Sequence, residues 1–137
     1  MIAAMVLRSD GTGGAHAGGD SAAIVRGTAL YVAHCQPCHS TLVNARPLAG
    51  VPSHGAAGHT WGHPDSTILR IILDGRPPLP STRLADSAAP TMPAWRGRLS
   101  PADAEAILTY IKSSWTDEQH AVREGWYGCR RDGVVTC

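Results

Sequence analysis

The chain has 137 residues, one domain's worth, with 12 Lys and Arg against 11 Asp and Glu and a formal net charge of +1. So small an excess argues against the basic footprint of a nucleic-acid-binding protein. Lys112 is the only lysine, so any basic docking face has to be built from arginine, and with no Phe the apolar bulk comes from Leu, Ile, Val, Ala and four Trp.

Residues 1–7 are apolar but lack the basic n-region and full-length apolar stretch of a secretory signal. They are also far too short to span a bilayer. They read as the remnant of a removed signal or anchor, or as an added start. Residues 9–20 are rich in glycine and read as a flexible lead-in, so residues 1–20 form an N-terminal segment ahead of the domain. Ser21 is the expected N-cap of a first helix reaching about His34, with Ile24, Thr28, Tyr31 and Val32 near helical spacing.

Cys35-Gln36-Pro37-Cys38-His39 follows at once. Two thiols three residues apart with a histidine directly after form the attachment signature of a c-type haem. The thiols can add across the two vinyl groups, and the imidazole can bind the iron as proximal ligand. A thioredoxin-like redox pair would want a βαβ context, and no strand-like alternation precedes Cys35. A zinc site would want four ligands, and the only other cysteines, Cys129 and Cys137, lie far away at a wide spacing. A buried porphyrin would also supply apolar area that this sparse core lacks. Its two propionates, if ionised, would take the formal charge from +1 to about −1.

Residues 40–63 are a loop rich in Gly, Pro and His with no sustained period. Pro64 suits the first position of a second helix whose apolar run is Ile68, Leu69, Ile71, Ile72 and Leu73, ended by Gly75. Residues 75–99 form a long irregular segment, of the kind that in compact domains is usually functional. Ser100-Pro101-Ala102-Asp103 is a strong helix start, and the third helix is expected to run to about Trp115. Thr116-Asp117-Glu118 caps a short polar helix to about Glu124. Cys129 and Cys137 close a short loop around the turn signal Asp132-Gly133, which favours a local disulfide over free thiols or an intermolecular bridge. Such a bond fits an oxidising compartment. A single Cys-x-x-Cys-His leaves room for only one attached haem.

The iron's other side needs a ligand or an open position. Met92 lies in Ala89-Pro90-Thr91-Met92-Pro93-Ala94-Trp95, where prolines stiffen the backbone as a weak thioether donor requires. Filling a core gap is the ordinary alternative for a methionine. His54, His59 and His63 of the middle loop are the competing ligands, and a water-bound or open position is the third possibility. Met/His ligation raises the potential and suits electron transfer, whereas an open position suits binding or activating small molecules.

With these residues in view the chain resembles the class I cytochromes c, and within them the small monohaem domains similar to the cytochrome c subunits of bacterial oxidases and dehydrogenases. The resemblance covers residues 21–126, leaving residues 127–137 as the tail. Gly27 and Tyr31 look like the family's small and aromatic pair on the first helix, with Ile107 and Tyr110 their partners on the last. Arg46-Pro47-Leu48-Ala49-Gly50 is similar to the stretch whose backbone carbonyl holds the proximal histidine, with Arg46 where a proline usually sits. His59-Thr60-Trp61 looks like the motif whose Trp bonds a haem propionate, against the alternative of a Trp simply buried. The resemblance implies an all-α fold of three main helices around one covalent haem c plus a C-terminal helical extension. It implies Cys35, Cys38, His39, Met92, Trp61 and Pro47 as cofactor-binding residues, with His39 and Met92 on the iron. The implied function is one-electron shuttling between an oxidase or dehydrogenase and another redox protein, with no catalytic residues, in a periplasmic or otherwise extracytoplasmic compartment. A haem-based sensor or peroxidatic protein with a displaceable sixth ligand, and a cytochrome subunit of a larger complex, are the alternative readings.

Overall fold

The computed structural model describes residues 15–76 and 91–127, with side chains from residue 21 onward. In order these are α1 (Ala15–His34), α2 (Gln36–His39), a 3-10 turn at Thr60–Gly62, α3 (Asp65–Asp74), α4 (Pro101–Lys112) and α5 (Asp117–Tyr127). Among the described residues there is no strand, only two isolated bridges, Arg76 with Met92 and Arg96 with Leu99. The described backbone of α1 begins at Ala15 rather than after Ser21, because the glycines of the lead-in remove side-chain periodicity without breaking the helix. The remaining residues of the expected flexible segment, 1–14, lie outside the described part, as do 77–90 and the tail from 128.

The frame is the crossing of α1 over α4. At Gly27 a Cβ would stand 1.9 Å from the Ala106 carbonyl oxygen and 3.0 Å from Tyr110 Cβ, so only glycine allows the two backbones to meet. Beside it Tyr31, fully buried, meets Tyr110 edge-on at 5.4 Å between ring centres. Arg26 donates to Asp103 at 2.9 Å across the same crossing. Ile68 and Ile72 of α3 and Ile107, Leu108 and Ile111 of α4 complete the core with Leu99 and Trp115.

Local chemistry sets the helix ends. Ser100 Oγ accepts from the Asp103 N–H at 3.1 Å, and Asp103 Oδ2 accepts from the Ser100 N–H at 2.9 Å, a reciprocal cap at the start of α4. The helix stops at Lys112, short of the expected Trp115, because Ser113 and Ser114 turn their hydroxyls back onto the Tyr110 and Ile111 carbonyls. Thr116 and Gln119 cap α5 in the same reciprocal way, at 3.2 and 3.0 Å. That helix continues to Tyr127, whose hydroxyl donates to the Gly62 carbonyl at 2.8 Å. The single lysine, Lys112, is buried and donates to Asp65 at 2.8 Å, while Arg123 of α5 donates to the other Asp65 oxygen. It therefore belongs to the interior and not to any docking face. Among the described residues no helix is long and apolar enough to cross a membrane.

A methyl group at the helix crossing tests this frame. Gly27→Ala is expected to lower the free energy of unfolding in chemical denaturation by about 3 kcal/mol, the upper end for overpacking. Stability equal to wild type would mean that the helices do not meet at this point.

Candidate functional site

The Cys35 and His39 N–H groups donate to the Tyr31 and Cys35 carbonyls, so the pentapeptide is a helical turn following α1. Positions i, i+3 and i+4 of such a turn share a face, which puts Cys35, Cys38 and His39 side by side. Neither thiol is engaged in a disulfide. Burial, with Cys38 nearby, pushes the Cys35 thiol up to about 11. The turn ends at Ser40, which has φ 64° and ψ −173°, a conformation normally supplied by glycine. Two hydrogen bonds hold it there: the Tyr31 hydroxyl donates to the Ser40 carbonyl at 3.1 Å, and the Arg46 N–H donates to Ser40 Oγ at 3.0 Å.

His39 is buried and its Nδ1 donates to the Pro52 carbonyl at 2.8 Å. That bond fixes the proton on Nδ1 and leaves a lone pair on Nε2. Burial lowers the histidine's pKa, which favours the neutral ring. Nε2 lies 3.5 Å from Met92 Sδ. Neither atom carries a proton, so the contact is not a hydrogen bond; two electron-pair donors face each other.

Met92 is held from α3. Its carbonyl accepts from the Arg76 N–H at 3.0 Å, and the N–H groups of Trp95 and Arg96 donate to the Leu73 carbonyl at 3.0 and 2.8 Å. Gly75 makes the approach possible: it has φ 73°, and a Cβ there would lie 2.6 Å from the Met92 carbonyl oxygen. Among the described residues no three His, Cys, Asp or Glu cluster as a metal site. A haem iron held by His39 and Met92 would take its other ligands from the porphyrin, and the adjacent thiols suit a covalent tether. The donor set fits a c-type haem.

One sequence expectation changes here. The carbonyl serving His39 belongs to Pro52, not to the stretch around Pro47. Pro47 is half-buried, and the next residue's N–H donates to the Cys38 carbonyl at 3.0 Å. The Trp61 indole N–H donates to the Gly58 carbonyl at 2.9 Å, and its ring stacks near Trp126 at 6.4 Å. That bond anchors the indole within the turn. His54, a competing ligand in sequence, stacks face to face on His39, 4.1 Å between ring centres and 29° between planes. A ring in that place flanks His39 and does not oppose it. Burial, with His39 and His59 nearby, pushes His54 down to about 3. Only the tight glycines Gly55 and Gly58 hinted in sequence that this loop folds closely, and nothing there marked Pro52 or the ring stack. Cys129 and Cys137 lie outside the described residues.

Residues 22–111 match the family described as cytochrome c oxidase, cbb3-type, subunit III, and the chain belongs to that family. It is 29% identical over 87 residues to the Cbb3-type cytochrome c oxidase subunit FixP of Bradyrhizobium sp. (strain ORS 278), covering 64% of this chain and 26% of that protein. It is 33% identical over 90 residues to the gluconate 2-dehydrogenase cytochrome c subunit of Pantoea cypripedii, covering 65% of this chain and 20% of the relative. The chain thus spans about a quarter of the length of the curated relatives it matches. No solved structure matches it. The helical arrangement is that of an all-α class I cytochrome c, and the cofactor is haem c, one iron porphyrin bound covalently.

The half-buried His54 gives a pH dependence. Its folded pKa lies below the ordinary 6.5, so its contribution to stability is complete above that pH and is lost as pH falls toward about 3. The slope from one such group reaches about 1.4 kcal/mol per pH unit. Acid titration of thermal stability between about pH 6.5 and 4 should be flatter in His54→Phe than in wild type. Equal slopes would show that His54 is not held neutral by the fold.

Proposed function

We propose that this domain passes single electrons between redox proteins through a haem c tethered by Cys35 and Cys38 and ligated axially by His39 and Met92. The observation that carries it is the convergence of His39 Nε2 and Met92 Sδ, 3.5 Å apart, beside the Cys-x-x-Cys-His turn. When bound, the haem iron supplies the one-electron couple, and nothing is consumed at the site. The chain's residues set how that couple behaves. Cys35 and Cys38 supply the two sulfurs for addition to the vinyls. The Pro52 carbonyl raises the basicity of the His39 imidazole and fixes its tautomer. Met92 supplies the neutral sulfur donor that favours a raised potential. Pro47 is assigned to packing beside the Cys-x-x-Cys-His turn.

Residues 21–126 are taken as the haem domain and 127–137 as a tail closed by a Cys129–Cys137 disulfide. A periplasmic or otherwise extracytoplasmic compartment suits both that bond and haem attachment. The relatives are named as subunits of a cbb3-type oxidase and of a gluconate dehydrogenase. A donor or acceptor of that kind, with this domain acting as one module of a larger redox assembly, is the corresponding assignment here. The sensor reading needs a vacant or displaceable ligand, and the placement of Met92 supports the electron carrier instead.

Intact mass under denaturing conditions should exceed that of the chain by one haem. Met92→Ala should remove the ferric methionine–iron charge-transfer band, admit carbon monoxide to the reduced protein and lower the potential. An unchanged ferric spectrum with unchanged carbon monoxide reactivity would exclude Met92 as ligand.

A further inference from the structure

A single hydrogen bond to Pro52 holds one corner of the His39 ring but leaves it able to swing about that anchor. The ring plane matters, because its orientation sets which iron orbitals the imidazole overlaps. A flat neighbour pressed on one face limits that swing far more than a flexible aliphatic chain would. His54 is such a neighbour, 4.1 Å between ring centres and inclined 29°.

We propose that His54 is a positioning residue for His39, fixing the plane of the proximal imidazole by stacking on it. The proposal rests on the ligation reading above and concerns how the ligand is held.

Three contacts immobilise His54 itself. Its Nδ1 bonds Thr60 Oγ1 at 2.8 Å, and the Thr60 hydroxyl is spent on the Ser53 carbonyl at 3.2 Å, so the imidazole donates and its tautomer is set. Tyr31, which also braces Ser40, meets the His54 ring edge-on at 6.2 Å. The His54 backbone carbonyl accepts from the Trp115 indole N–H at 2.9 Å.

The backing comes from beyond the family-matched residues 22–111. Gln119 donates to the Ala56 carbonyl at 2.8 Å, Arg123 to the Trp61 and His63 carbonyls, and Tyr127 to Gly62 at 2.8 Å. The extension is thereby tied along the loop that carries both Pro52 and His54. A stiff loop is what a stack needs, since a ring free to rotate away would constrain nothing.

The test compares two substitutions of similar bulk in the haem-loaded protein. His54→Phe keeps a flat ring, and His54→Leu fills the space without one. The readouts are the principal g-values of the low-spin ferric electron paramagnetic resonance signal and the reduction potential, with circular dichroism to show equal folding. His54→Leu should displace the g-values and the potential, and His54→Phe should leave both close to wild type. Wild-type g-values in His54→Leu, or an equal displacement in His54→Phe, would overturn the proposal. The ferric methionine–iron band is recorded in the same samples. Its absence from wild type would refute the ligation reading, an outcome separate from any change at His54.

Discussion

Two lone-pair donors held face to face in a protein interior repel each other slightly and gain nothing by themselves. His39 Nε2 and Met92 Sδ stand 3.5 Å apart, each positioned from a different part of the backbone. The imidazole is held by Pro52 and favoured in its neutral form by burial, and the thioether is fixed by a loop stitched to the end of α3. These two donors are the pair proposed above as the iron's ligands. The remainder of the fold keeps the two donors in register.

They arrive from opposite directions along the chain. α1 delivers Cys35, Cys38 and His39 in one helical turn, so its position is set where it crosses α4 at Gly27. Met92 is placed from α3, through Gly75 and the Leu73 and Arg76 backbone groups. α3 packs on α4 as well, so both donors are referred to the same helix. The third support is the buried cluster in which Asp65 of α3 accepts from Lys112 of α4 and from Arg123 of α5. Removing one member would leave a buried charge without its partner, which is far more disruptive than losing a surface pair.

Much of this was legible in the sequence because its chemistry is local. The Cys-x-x-Cys-His spacing encodes one turn, the prolines around Met92 mark a stiff segment, and Ser100 to Asp103 spells a cap. Gly27 and Tyr110 read correctly as a close crossing because a missing side chain and a ring are complementary in shape. What was illegible depends on backbone meeting backbone at long range. Pro52 reaches His39 only because the aperiodic loop folds back on itself, with the Gly55 Cβ position 1.8 Å from the Leu42 carbonyl oxygen. His54 read as a rival ligand because no pattern distinguishes a ring beside the ligand from one opposite it. The bond from Trp61 to the Gly58 carbonyl, three residues back, left no mark in the sequence either. The helical extension read as a polar appendage, since its contacts to the carbonyls at residues 54–63 leave no periodic trace.

The central claim is that one sulfur and one imidazole nitrogen of this chain occupy the two axial positions of the iron. X-ray absorption fine structure at the iron edge of the purified wild-type protein tests it most directly. The account requires a single sulfur scatterer in the first shell alongside the nitrogens, in both oxidation states. A first shell of nitrogen alone, or of nitrogen and oxygen, would contradict it.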